Sequence, residues 1–218
     1  KNLARVTEYI RQKSQEAEID KEMVLLLHRM LVGGISDNIA GRFRIKGEYV
    51  RVGTHIAPPP EQVEQMVDDI LLEYSSNLSS YFLDKVAKFH LDFEIIHPFN
   101  DGNGRIGRVL VNYQLQKLGF PSVIIRNREK KYYYQAFRDY LDSKNTKAME
   151  KILVLALLES FHKRLAYLKG ETIIPLADYI KEHDLSAPAL SNVARRQKIP
   201  TFREKGAWKI PKEFKYKK

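Results

Sequence analysis

The stretch His97-Pro98-Phe99-Asn100-Asp101-Gly102-Asn103-Gly104-Arg105-Ile106-Gly107-Arg108 gathers an imidazole, a carboxylate, a glycine-framed Asn and two guanidinium groups. Pro98 and the Gly102/Gly104 pair favour an irregular loop, whereas Val109, Leu110, Val111, Leu115 and Leu118 start an apolar-periodic run that reads as a helix. The loop therefore feeds a helix N-terminus. There, unpaired backbone N–H groups and the positive end of the helix dipole favour an anion, and glycine lets the backbone approach it without a Cβ in the way. An imidazole with a near-neutral pKa can take a proton from a hydroxyl nucleophile. A lone Asp shares a hard cation with phosphates, and arginines meet phosphoryl oxygens. The residue types together point to phosphate handling.

Two other readings compete for the same residues. Gly102-Asn103-Gly104-Arg105-Ile106-Gly107 matches the dinucleotide pattern Gly-x-Gly-x-x-Gly, and Glu129 follows Val123-Ile124-Ile125 at the expected offset. That fold needs a buried strand running directly into the first glycine. Here Phe82, Val86, Phe89, Phe93 and Ile96 step by four and three, a helical stripe, and His97 to Asp101 intervene. A purely structural turn seldom combines His, Asp, Asn and two Arg.

The twelve-residue pattern His-x-Phe-x-Asp-Gly-Asn-Gly-Arg-x-x-Arg resembles the signature of the Fic family. The resemblance covers roughly residues 1–168. It implies a mainly α fold, a Fic-type helical core with a β-hairpin flap in which the motif joins two helices. It implies a protein adenylyltransferase that moves AMP from ATP to a Ser, Thr or Tyr hydroxyl of a protein target or of the chain itself. On that reading His97 is the general base and Asp101 holds Mg²⁺, which arrives with ATP. Asn103 and the backbone of Gly102 and Gly104 hold the α-phosphate, Arg105 meets the β-phosphate and Arg108 the γ-phosphate; buried Phe99 anchors the loop. Gly104, where phosphate-transferring relatives carry Lys, favours nucleotide transfer. Relatives that remove AMP or transfer phosphocholine use the same motif, and a nucleotide-sensing DNA-binding regulator is a further alternative. Relatives often dimerise, which allows a homodimer.

Upstream, Gly41 to Gly53 alternates polar and apolar side chains around Lys46-Gly47 and predicts a hairpin at about residues 42–52. By resemblance this is the flap, and the protein target pairs along about Arg44–Val52. Downstream, the Arg128–Phe137 stretch resembles a Tyr-Tyr segment bordering the nucleotide. Tyr133 and Tyr134 there either face adenine or pack in the core with tethered hydroxyls. His28, His90 and His162 fall in helical patterns and read as packing residues, and His55 follows the flap. An inhibitory Ser/Thr-x-x-x-Glu-Gly/Asn helix, present in many Fic proteins, has no match. The chain begins at Lys1, so the expectation is a fragment whose inhibitor lies upstream and whose Arg108 is unobstructed.

Periodicity predicts helices at about 3–9, 23–31, 62–72, 81–96, 109–118, 132–141 and 148–168, with Lys169-Gly170 as the domain boundary. Residues 171–218 then form a separate basic module. Leu176, Ala177 and Ile180 suggest one helix, Ser186 caps a second, and Ala207–Pro211 reads as a strand after the turn at Glu204-Lys205-Gly206. This order resembles a small winged helix-turn-helix. From Leu185 onward ten Lys or Arg face two Glu, eight of the ten net positive charges of the chain. Such bias suits a phosphate backbone, so DNA is a candidate partner, with a solvated basic face or a protein-docking module as the alternatives.

Composition narrows the class. The 218 residues contain no Cys, which removes disulfides and thiolate chemistry, and the six His form no His-x-x-x-His pair. No apolar run approaches the roughly 18 residues of a membrane helix, so a soluble cytoplasmic enzyme is expected.

Overall fold

The structure, a computed structural model, describes residues 1–126 and 130–216. Arg128 and Glu129, at the start of the Tyr-Tyr stretch and in the dinucleotide pattern respectively, lie outside the described residues. The chain is mainly α and divides into two compact units. The first holds Lys1–Phe120 and the described residues up to Glu150; the second holds Pro121–Arg126 and the described residues from Lys151 on. Among the described residues no helix is long and apolar enough to cross a membrane.

In the first unit, α1 (Asn2–Lys13) turns Val6 and Ile10 inward. Helix α2 (Lys21–Val32) starts where the Asp20 carboxylate accepts the Met23 N–H at 2.7 Å, a side-chain cap. Helix α3 (Pro60–Ser76) opens on a proline, whose missing N–H costs nothing in a first turn. Helices α4 (Phe82–Ile96) and α5 (Asn103–Lys117) pack on each other, α3 lies on α4, and α1 contacts α2 and α5. Their apolar faces share one core that includes Val6, Leu27, Val67, Phe93 and Leu110. Helix α6 (Lys130–Ser143) is fastened to α4 by the Tyr140 hydroxyl, which donates to Asp92 Oδ1 at 2.7 Å.

The hairpin differs from the sequence reading. Strands β1 (Arg51–Val52) and β2 (His55–Ile56) pair Arg51 with Ile56 and Val52 with His55 around Gly53-Thr54, and Ala57 N–H donates to Val50 O at 3.1 Å. Residues 42–48 are not a strand. The Arg42 guanidinium grips the Glu48 carboxylate with two bonds of 2.8 Å, and the Ile45 N–H donates to the same carboxylate. Lys46-Gly47 thus lies in a turn closed by side chains instead of a ladder. Arg44, which alternation would place outward, is turned in and 3% exposed.

The second unit includes most of α7 (Lys147–Leu168), which continues from the first unit without a break in helical periodicity. The division therefore falls inside this helix, ahead of the Lys169-Gly170 punctuation. Beyond it, β3 (Ile173–Pro175), α8 (Leu176–Glu182), α9 (Ala187–Arg195), β4 (Phe202–Glu204) and β5 (Ala207–Pro211) follow in order. The sheet order is β3-β5-β4, antiparallel throughout. Leu176, Tyr179, Leu190, Ala194, Ile199 and Ile210 make its core. Ser186 stands at the N-cap of α9, but its hydroxyl makes no capping bond.

Phe99 is fully buried and stacks on His28 at 3.7 Å between ring centroids, 4° from parallel, with Phe43 and Phe93 around it. Phe99→Ala should cost about 3–5 kcal/mol of stability. In urea or guanidinium this appears as a lower midpoint at unchanged slope; a midpoint equal to that of the parent chain would contradict the anchoring role.

Candidate active site

Helix α4 ends at His97, whose backbone is left-handed (φ 50°, ψ 61°), and α5 begins after Gly102 (φ 85°). Six residues reverse the chain between two packed helices. The reversal is closed from inside by Asn103, 2% exposed, whose amide accepts the Phe99 N–H at 2.8 Å and donates to Phe99 O at 2.7 Å. From below, buried His28 accepts the Gly41 N–H on Nδ1 at 3.0 Å, which leaves Nε2–H to donate to Asp101 O at 3.0 Å. Gly102 has no side chain to cap α5; the Arg105 N–H donates to Gly102 O at 3.0 Å, whereas the Asn103 and Gly104 amides, first in the helix, precede any intrahelical acceptor. The dinucleotide alternative fails on this geometry, because a helix and a loop precede the glycines where a strand is required.

His97 has one ring nitrogen committed. Its Nδ1–H donates to Glu94 O at 3.1 Å, so in the neutral ring Nε2 carries the lone pair. Burial lowers its pKa below the usual 6.5; the Glu94 carbonyl opposes this, while the charges of Arg44 and His55 add to it. The imidazole is therefore unprotonated near pH 7, the form a general base needs. His55 lies close by, with Nε2–H donating to Ile95 O at 2.9 Å.

Asp101 is exposed and divides its carboxylate between the Gly102 N–H at 2.6 Å and Arg105 Nη2 at 3.0 Å. Arg108 lies over the backbone of α5, its Nη1 3.4 Å from where a Cβ on Gly104 would stand. Among the described residues no carboxylate forms an ion pair with Arg108. The Tyr133 hydroxyl meets His90 Nε2 at 2.5 Å and lies beside the Arg108 guanidinium, whose charge opposes the rise that burial gives its pKa. Tyr133 is thus core-tethered at the edge of the motif. Tyr134 is 40% exposed and stands edge-on to Tyr133 at 6.2 Å.

Three groups are additional to the sequence candidates. Arg44 reaches the carbonyls of Ile96 and His97. Glu94 and His90 press on Gly107, where a Cβ would stand 2.5 Å from Glu94 Oε1 and 3.0 Å from His90 Cε1. Gly107 is a packing glycine between α4 and α5. Burial holds the Glu94 carboxyl up at about 7 against the pull of Arg108, and drives His90 down to about 3. Among the described residues, Glu94 Oε1 and His90 Nδ1 are buried with no hydrogen-bond partner. The legible signal was spacing: His90, Glu94 and His97, four and three apart, fall on one face of α4 and its C-cap.

The model of the Fic/DOC family matches residues 18–115. A protein adenylyltransferase Fic of Nematostella vectensis is 33% identical over 168 residues, covering 76% of this chain and 37% of that protein. The chain spans about a quarter to two fifths of the length of the curated relatives it matches. Among solved structures, a Fic domain containing signaling protein from Bacteroides thetaiotaomicron superposes with TM-score 0.68 at 23% identity, covering 78% of this chain and 72% of that one. BepC from Bartonella tribocorum, with bound AMPPNP, gives TM-score 0.55 at 16% identity over 69% of this chain and 80% of its own. These two likenesses establish the fold.

The raised Glu94 pKa fixes a sign. The folded chain keeps this proton up to about pH 7, whereas an unfolded Glu releases it near 4.5. Stability from this group is complete below about pH 4.5 and lost as pH rises toward 7. Glu94→Gln, which mimics the protonated form, should remove that loss. Urea midpoints at pH 5 and pH 8 would show the variant gaining on the parent at pH 8; identical pH dependence in both chains would exclude a raised Glu94.

Proposed function

Because the chain carries a Fic/DOC family domain, we propose that it is a protein adenylyltransferase transferring AMP from ATP to a hydroxyl of a protein target. The observation that carries this reading is His97, with Nδ1 spent on Glu94 O and Nε2 available as a base, beside a helix start with glycines and two arginines. The target hydroxyl gives its proton to Nε2, its oxygen bonds to the α-phosphorus, and pyrophosphate leaves. Positioning and preorganised donors supply most of the acceleration in such reactions, and the base about 10²- to 10⁴-fold.

The Gly104 amide faces the α-phosphate, joined by the Gly102 amide when Asp101, its present acceptor, turns to a cation, and Arg105 and Arg108 receive the β- and γ-phosphates. Asn103 serves by holding the loop, since its amide is already bonded to Phe99. Asp101, exposed and within one rotamer change of leaving Arg105, is the residue that would hold Mg²⁺, whose charge would offset that of the phosphates. Tyr133 contributes by orienting Arg108. The target lies along residues 45–57, where Ile45, Tyr49 and Ile56 are exposed. An extended segment pairing there by backbone bonds asks little of its side chains.

This proposal assigns residues 1–168 to the catalytic core and residues 171–218 to a basic winged helix-turn-helix module with a nucleic-acid partner. Its support is the order α8, α9 and the β4–β5 hairpin, with Arg195, Arg196, Lys198 and Lys205 exposed.

Incubation of the chain with ATP labelled in the α-phosphate and Mg²⁺ should label protein, and His97→Ala should abolish the label. Label carried only by the γ-phosphate, or unchanged by the substitution, would overturn the assignment. For the basic unit, the full chain should bind duplex DNA with an affinity that falls steeply with salt, and Arg195→Ala/Arg196→Ala should flatten that dependence. Binding equal in both chains would remove α9 from the interface.

A further inference from the structure

Among the described residues Arg44 is the most deeply buried Arg or Lys of the first unit, 3% exposed, and the Glu48 carboxylate is held by Arg42 instead. Its guanidinium is satisfied by four backbone carbonyls. Nε donates to His97 O at 2.8 Å, Nη1 to Glu48 O at 3.0 Å, and Nη2 to Pro58 O at 2.9 Å and Ile96 O at 3.2 Å. The Arg44 N–H adds a bond to Pro98 O at 2.9 Å. Two of these carbonyls close the C-terminus of α4, the negative end of its dipole, which compensates a charge taken out of water. The other two lie on either side of the β1–β2 hairpin.

His97 itself needs holding. It is one of five described non-glycine residues with positive φ. A helix end would not choose that conformation without a neighbour to enforce it. Its carbonyl direction, and with it the direction of the imidazole, is set where Arg44 binds.

We propose that Arg44 is the positioning residue for the base: it locks the left-handed turn at His97 and ties that turn to both ends of the target-holding segment. Base and target segment then move as one body. The inference rests on the adenylyltransferase reading for its kinetic consequence, but its geometric content is independent of it. Arginine is required because one planar fork reaches four acceptors, which an ammonium cannot do.

The test uses the full chain with labelled ATP and Mg²⁺, following self-labelling. Arg44→Lys should lower the rate at saturating ATP by roughly 10- to 100-fold, the scale of a misaligned reactive group. The ATP concentration for half-maximal rate should stay within about threefold of the parent, because the phosphate-facing residues lie beyond Gly102. A parent-like rate in Arg44→Lys, or a loss that appears only in the ATP requirement, overturns the proposal. A second measurement needs no variant: ¹⁵N NMR of the parent chain. The Arg44 Nε–H should exchange slowly and shift with the same pH midpoint as the His97 ring, which should show the Nδ1–H tautomer. An Arg44 Nε–H that exchanges at the solvent rate, or ignores the His97 titration, sinks the clamp even if labelling occurs. Absence of label in the parent with the NMR coupling intact rejects the activity and keeps the clamp.

Discussion

A chain reversal of six residues between two packed helices is the constraint on which the rest of the first unit depends. α4 must stop at His97 and α5 must start at Asn103 while their apolar faces stay in contact, so the loop cannot lengthen or drift. It is held on three sides. Asn103 clasps Phe99 across the turn, His28 supports Gly41 and Asp101 from beneath, and Arg44 pins the carbonyls where α4 ends. Phe99 inserts into the core as the wedge that keeps these contacts in register. The carbonyls of His97, Pro98, Phe99, Asp101 and Gly102 each have a fixed partner, which holds the turn while the helix start keeps its first amides toward a ligand.

Charge at the site is organised by burial as much as by residue type. His28, His90 and His97 are all pushed toward neutrality by desolvation, so the positive charge sits on guanidinium groups. Asp101 and Arg105 neutralise each other, and Glu94 is held near the point of protonation beside Arg108. An anion entering the N-terminus of α5 thus finds arginines whose counter-charges are exposed or weakened.

Much of the helical framework was legible from residue order. Apolar steps of three and four placed α1–α7, because a helix facing a core needs that spacing whatever surrounds it; α5, however, starts at Asn103, six residues ahead of the expected 109, since a first turn of Asn, Gly and Arg carries no apolar period. The hairpin shows the limit. Alternation over Gly41–Gly53 is what a half-buried strand requires, yet Arg44 is inside and the ladder forms around Gly53-Thr54. A charged side chain at an alternating position reads as outward. The carbonyls of Ile96 and His97, more than fifty residues away, join those of Glu48 and Pro58 to make burying it favourable. Strands β3 and β4 escaped for the related reason that three residues carry no periodicity.

The chain's residues in order were enough to read a glycine-bearing loop running into a helix start, the mainly α class and the basic character of the C-terminal unit, because helical periodicity, glycine geometry and net charge are local properties. Contacts made across the fold decided where Arg44 points, that the Tyr133 hydroxyl meets His90 and that burial raises the Glu94 carboxyl to about 7. Those are consequences of desolvation and of hydrogen bonds closed across the core, and both depend on which surfaces folding brings together.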